Sequence, residues 1–184
     1  ILAETKRYCV GMAYRRGGSG YLRRTVHGWN SASKGTPFIV LTDLDSCECP
    51  AQMIADWLPR GKHPNLLFRV AVHEVESWIL ADPVNLSDFL SLREAIAPTN
   101  TDELADPKAT LINFARKSRS KATRQSIVPK DGSTAKQGPD YNRCLGCFVR
   151  EYWDIRNSMC NSPSLARTVD RLVSFEPIGL SRAF

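Results

Sequence analysis

The sequence predicts an α/β protein in which a mostly parallel sheet with flanking helices is followed by an all-helical C-terminal part. Three observations carry this. Short apolar runs of strand length alternate with amphipathic stretches as far as Pro83. Two of the runs, Phe38-Ile39-Val40-Leu41 and Leu66-Leu67-Phe68-Arg69-Val70-Ala71-Val72, end abruptly in acidic residues. From Asn85 onward the pattern turns wholly helical. Strands alternating with helices argue for parallel pairing through right-handed crossovers. The chain therefore reads as an α/β core over residues 1–84 and a helical extension over 85–184, with a basic loop at 116–138.

Taken in order, Arg7 to Tyr14 has the length and composition of a strand. Arg15-Arg16-Gly17-Gly18-Ser19-Gly20 is a basic, glycine-rich connector that matches neither a P-loop nor a dinucleotide fingerprint. Tyr21 to Trp29 has helical spacing at Leu22, Val26 and Trp29. Pro37 to Asp45 reads as a strand buried on both faces, because its apolar run is unbroken and rich in branched residues. Pro50 to Leu58 is a helix carrying Met53, Ile54 and Trp57 on one side. Arg60-Gly61-Lys62-His63-Pro64 turns the chain into the Leu66–Val72 strand, with His63 at the surface. The helix that follows carries Val75, Trp78, Ile79 and Asp82 and is ended by Pro83, with Trp78 in the core. Further helices are expected around Leu86 to Leu92, at Leu104 to Lys117, at Tyr141 to Ile155 and at Ser164 to Phe175. Ser162-Pro163-Ser164 supplies the start of the last.

At 184 residues, with 42% hydrophobic and 9% aromatic residues, the chain is long and apolar enough for a sizeable core. It holds no apolar run of membrane-spanning length and no secretory signal, so a cytoplasmic protein with no membrane partner is expected. It begins with Ile1 rather than Met, which reads as a processed or truncated product. The net charge of +6 permits an anionic partner without demanding one. The six cysteines are Cys9, Cys47, Cys49, Cys144, Cys147 and Cys160. Cys47-x-Cys49 is tight for one tetrahedral ion and Cys144-x-x-Cys147 sits in a helical pattern, so the spacing argues against zinc and for reduced thiols.

The acids at the strand ends carry the chemistry. In extended chain Asp43 and Asp45, at i and i+2, point to one side and crowd their charges. A hard divalent ion, Mg²⁺ or Mn²⁺ in its place, relieves such crowding through oxygen ligands. Capping of the next helix is the alternative role for both, since Asp is a good N-cap. The second strand leads into Glu74 and Glu76, which could supply a further ligand or position a water. Their alternative is a favourable place in the first turn of a helix.

A second feature is the basic stretch holding Arg116, Lys117, Arg119, Lys121, Arg124, Lys130 and Lys136, in which Asp131 is the only acid. Such concentrations of positive charge track phosphates, and Tyr141 and Trp153 lie near enough in sequence to offer stacking. A solvated face is the plainer explanation.

Asp43-Leu44-Asp45 and His73-Glu74-Val75-Glu76-Ser77-Trp78-Ile79-Leu80-Ala81-Asp82 resemble the motifs of a family of small bacterial TOPRIM-like proteins. The resemblance covers Pro37 to Asp82 and extends toward Asp106-Pro107-Lys108. It implies a Rossmann-like TOPRIM core, distantly like that of the overcoming-lysogenization-defect nucleases. It further implies Mg²⁺ held by Asp43 and Asp45, Glu74 and Glu76 as catalytic groups, and cleavage of phosphodiester bonds. Arg116, Lys117, Arg119, Lys121 and Arg124 would then hold the nucleic acid. The strand that carries the family's first glutamate is not found ahead of Asp43, and Glu4 sits in a helical stretch rather than at a strand end. An incomplete acidic site favours the rival reading, a non-catalytic module that binds a partner ATPase or nucleic acid, possible roles that the resemblance implies equally.

Overall fold

The computed structural model describes residues 1–2, 8, 11–14, 17–45, 49–97 and 99–179. They fall into two compact units, Ile1–Val72 with Ala166–Phe184, and His73–Leu165. The composition of the chain changes at residue 84, and the two units divide it between Val72 and His73. The protein is mixed α/β. Among the described residues a two-stranded parallel sheet accompanies nine α-helices. In chain order these are α1 (Gly18–Ala32), β1 (Phe38–Asp43), α2 (Pro50–Trp57), β2 (Leu66–Ala71), α3 (Glu76–Leu80), α4 (Pro83–Phe89), α5 (Pro107–Arg116), α6 (Lys121–Ile127), α7 (Tyr141–Glu151), α8 (Ile155–Asn161) and α9 (Pro163–Val173).

In the first unit, β1 and β2 pair in parallel from Phe38 opposite Leu66 to Asp43 opposite Ala71, with α2 as the connection between them. Val26 of α1, Val40, Met53, Trp57, Leu66, Phe68 and Val70 form one core. Each such side chain contributes about 1.5–3 kcal/mol when removed from water. Gly17 starts α1 with φ +76°, and a Cβ there would stand 2.4 Å from that of Tyr21. The glycine is therefore needed at the helix start, beyond any role as a loose connector.

Two expectations for this unit are corrected. β1 is buried on one face only: Val40 and Thr42 are inside, while Ile39 and Leu41 are 41% and 42% exposed. Successive strand residues point to opposite faces, and an unbroken apolar run does not reveal whether both are covered. β2 is the strand with cover on both faces, since Leu67 packs with Leu172 and Phe175 while its neighbours face the first core. The expected strand at Arg7 to Tyr14 is not formed by Tyr8 or by Gly11 to Tyr14. Its remaining residues, like Glu4, Arg15, Arg16 and Cys47, lie outside the described residues.

The second unit is helical around Ile79, Leu80, Leu86, Leu90, Leu111, Ile112, Ile127, Leu145 and Phe148. Trp78 is buried as expected, and its Nε1 donates to Ser164 Oγ at 2.7 Å. Pro83 does not end a helix here. It opens α4, for which the buried Asp82 is the cap, accepting from the backbone N–H of Asn85 at 3.4 Å. The expected Tyr141–Ile155 helix is two, because Asp154 accepts from the N–H groups of Arg156 and Asn157 and starts α8. Part of the basic loop is likewise helical, as Ser120 accepts from the N–H of Thr123 and opens α6. No helix among the described residues is long and apolar enough to cross a membrane.

Candidate functional site

The acids of the second unit are organised by the start of α5. Asp106 caps it, its Oδ1 accepting from the N–H of Ala109 at 2.7 Å, and Pro107 fits the first helical position, where no N–H is needed. The N–H of Lys108 is answered from outside the helix by Glu74 Oε2 at 3.0 Å. Two carboxylates thus sit where the helix dipole favours negative charge. Glu74 itself is held in a turn, its carbonyl accepting from Ser77 N–H at 3.0 Å and Ser77 Oγ at 2.9 Å.

Glu76, on α3, is only 5% exposed. Its Oε1 accepts from the Tyr141 hydroxyl at 2.9 Å and lies 3.3 Å from Lys108 Nζ. The same ammonium stands 5.8 Å from the centroid of the Tyr141 ring. Burial, and then the charge of Glu76, push the Tyr141 hydroxyl well above the ordinary tyrosine range. Tyr141 is accordingly a hydrogen-bond donor here and not a base. A carboxylate this deeply placed is tolerable because it is both hydrogen-bonded and paired.

Beside this cluster lies a cavity of about 280 Å³ whose polar lining includes Glu74, Asp106, Lys108, Asn113, Arg116 and Lys136. Glu74 and Asp106 are engaged by α5 N–H groups and Lys108 is paired with Glu76, so the lining is of mixed charge, with Arg116 and Lys136 as its cations outside an ion pair among the described residues. Arg116 Nη1 is steadied by Asn113 Oδ1 at 3.0 Å.

Comparison with protein-family models, with curated proteins and with solved structures finds no match for this chain. The site therefore rests on its own geometry.

Of the basic residues singled out from the sequence, Arg116, Lys117, Arg119 and Lys121 are exposed. Arg124 is half-buried, and its guanidinium donates to the Ser118 carbonyl, which ties the α5–α6 turn together. Stacking by Tyr141 and Trp153 is corrected: Tyr141 is 1% exposed, and Trp153 Nε1 donates to the Trp78 carbonyl at 3.2 Å. The loop after α6 carries Lys130 and Lys136 and is stitched at its neck. Gly138 N–H donates to Ile127 O at 2.9 Å and Asp140 N–H to Ser126 O at 3.0 Å.

In the first unit, Asp43 ends β1 opposite Ala71 and is half-buried. Leu44 donates its N–H to Ala71 O at 2.9 Å and enters the core. Asp45 is exposed and already left-handed, with φ 51°, so the extended geometry that would align it with Asp43 has ended. Among the described residues no group of three or more His, Cys, Asp or Glu side chains could hold one metal ion. Mg²⁺ takes open oxygen donors, whereas Glu76 Oε1 is shared by the Tyr141 hydroxyl and the Lys108 ammonium and Glu74 Oε2 accepts from the Lys108 N–H. Cys144 and Cys147 lie on α7, while Cys49 precedes α2 and Cys160 is exposed.

Lys108 and Tyr141 are the residues that the sequence did not single out as partners of Glu76. Asp106-Pro107 signals a helix start and so puts Lys108 in its first turn. Nothing local names the carboxylate that the lysine meets.

Proposed function

We propose that this chain is a TOPRIM-like protein that binds nucleic acid, with the second unit holding the phosphate backbone. The observation that carries this reading is the run of exposed cations from Arg116 through Lys117 and Arg119 to Lys121, none of them in an ion pair among the described residues. Arg116 also lines the cavity that holds Lys108 and Lys136. Cations in this arrangement contact phosphate oxygens, which position a duplex or single strand without reading its bases. Binding is favoured over cleavage because Glu76 is committed to Lys108 and Tyr141.

The test is fluorescence anisotropy with labelled DNA and RNA across a salt series. Four phosphate contacts predict a log–log slope of about −3.6 on duplex DNA, and replacing Lys117 and Lys121 by Ala should reduce its magnitude by about 1.8. A flat salt response refutes the reading.

Mg²⁺-dependent cleavage is the second reading, favoured by the position of Asp43 and Asp45 at the carboxyl end of β1. That is the end of a parallel sheet where ligands bind. It predicts that Asp43→Asn abolishes nicking of plasmid DNA while the protein stays folded; nicking that persists in the variant removes Asp43 from the reaction. If the purified chain binds neither nucleic acid nor Mg²⁺ or Mn²⁺, docking on a partner ATPase becomes the better account.

A further inference from the structure

The first unit gathers four cations from three places in the chain. Arg69 is the one half-buried residue of β2 in an otherwise buried strand. Its Nε donates to Thr168 Oγ1 on α9 at 3.3 Å. Arg167 precedes that threonine, and Arg171 follows one turn later on the same face as Arg167. The Arg171 guanidinium is 5.9 Å from the centroid of the Phe175 ring. Lys62, in the turn before β2, donates to the Leu66 carbonyl at 2.8 Å. Among the described residues none of the four is paired with a carboxylate.

The cations feel one another. Burial lowers the pKa of Arg69, and the charges of Arg167 and Arg171 lower it further. Burial likewise lowers that of Lys62, followed by Arg171 and Arg69. A guanidinium does not shed its proton in proteins, so this repulsion persists at every working pH. An anion bound among the four would convert it into attraction. Guanidinium forks match phosphate oxygens in pairs, which gives direction as well as charge.

We infer that Arg69, Arg167, Arg171 and Lys62 form a receptor for a phosphate dianion, either a phosphomonoester or inorganic phosphate. The dianion is preferred to a phosphodiester because it brings two negative charges and three terminal oxygens to four cations. The site shares no residue with the basic segment of the second unit, so it stands or falls separately from nucleic-acid binding there.

The experiment titrates inorganic phosphate into the full chain by calorimetry at constant ionic strength, with a chloride control, and repeats it on the double variant Arg167→Gln/Arg171→Gln. Both substitutions are on exposed positions of α9. Phosphate should bind and raise the melting temperature, and the double variant should lose at least about tenfold in affinity. Without phosphate the double variant should stay folded, because relief of the like-charge repulsion offsets the lost contact of Arg171 with the Phe175 ring. The Lys117→Ala/Lys121→Ala variant should bind phosphate as wild type does. Failure of wild type to bind, unchanged binding by the α9 variant, or loss of binding in the Lys117/Lys121 variant each overturns the inference. A 5′-phosphorylated oligonucleotide compared with its 5′-hydroxyl twin then separates the sources. A preference that disappears in the α9 variant supports the receptor with nucleic-acid ends as its source. Equal binding of the two oligonucleotides, with phosphate still bound, supports it with a small free phosphate.

Discussion

Replacing Tyr141 by Phe tests whether the Glu76 cluster is held together as its geometry indicates. The change removes a hydroxyl that donates at 2.9 Å to a carboxylate only 5% exposed, and leaves Lys108 at 3.3 Å. Hydrogen bonds to charged groups contribute about 1.5–3 kcal/mol, and Phe fills nearly the same volume, so no cavity cost is added. Urea denaturation should therefore show a loss of about 1.5–3 kcal/mol with an unchanged m-value. Glu76→Gln should cost about 3 kcal/mol, the lower end for breaking a buried pair, because the Lys108 side chain is 32% exposed and regains water. The double variant should fall short of the sum, with a coupling of about 0.5–3 kcal/mol. The pH dependence has a definite sign. The Tyr141 pKa is raised in the folded state, so above pH about 10 the unfolded chain loses a proton that the folded chain keeps. Its contribution is full below that pH and is lost as pH rises, so wild type and Tyr141→Phe should converge in alkaline solution. A Tyr141→Phe variant within about 0.5 kcal/mol of wild type at neutral pH refutes the reasoning.

Two further substitutions probe the elements that place the site. Gly138→Ala would bring a Cβ to 2.4 Å from the Ser126 carbonyl oxygen, so the loop neck should open at a cost of about 1–3 kcal/mol. Hydrogen exchange reads this directly, and amides of Gly138 and Asp140 that stay protected would contradict it. Asp154→Ala removes the acceptor for the Arg156 and Asn157 N–H groups and should lower stability by about 1 kcal/mol in thermal melts, with Asp154→Asn restoring most of it.

The elements that the sequence disclosed are those whose signal is local. β1 and β2 announce themselves as apolar runs that stop on acids, α1 by its spacing, α2 by spacing and by Pro50 at its start, and α5 by its apolar spacing, although it begins at Pro107 and not at Leu104. Helix borders are less legible. Both Asp-Pro pairs open helices, Asp82-Pro83 starting α4 and Asp106-Pro107 starting α5, because Asp caps and Pro fits the first helical position. The Asp154 cap splits what periodicity presents as one helix. The least legible part is the site. Glu76 is matched by a tyrosine 65 residues later in the chain, and no local pattern encodes that meeting. Arg69 likewise interrupts an apolar strand for a reason that appears only when Thr168, 99 residues on, reaches it.

The stitched neck beneath Lys130 and Lys136 makes that loop an exchangeable cassette. Its two ends are clasped by main-chain bonds to Ser126 and Ile127, whatever side chains lie between them. Lengthening a closed loop costs little, because closure entropy grows only slowly with length. Charge could be added, removed or reversed at its tip while α6 and α7 keep their places. The polarity of this rim is thus a property that drift or design can retune without rebuilding the scaffold.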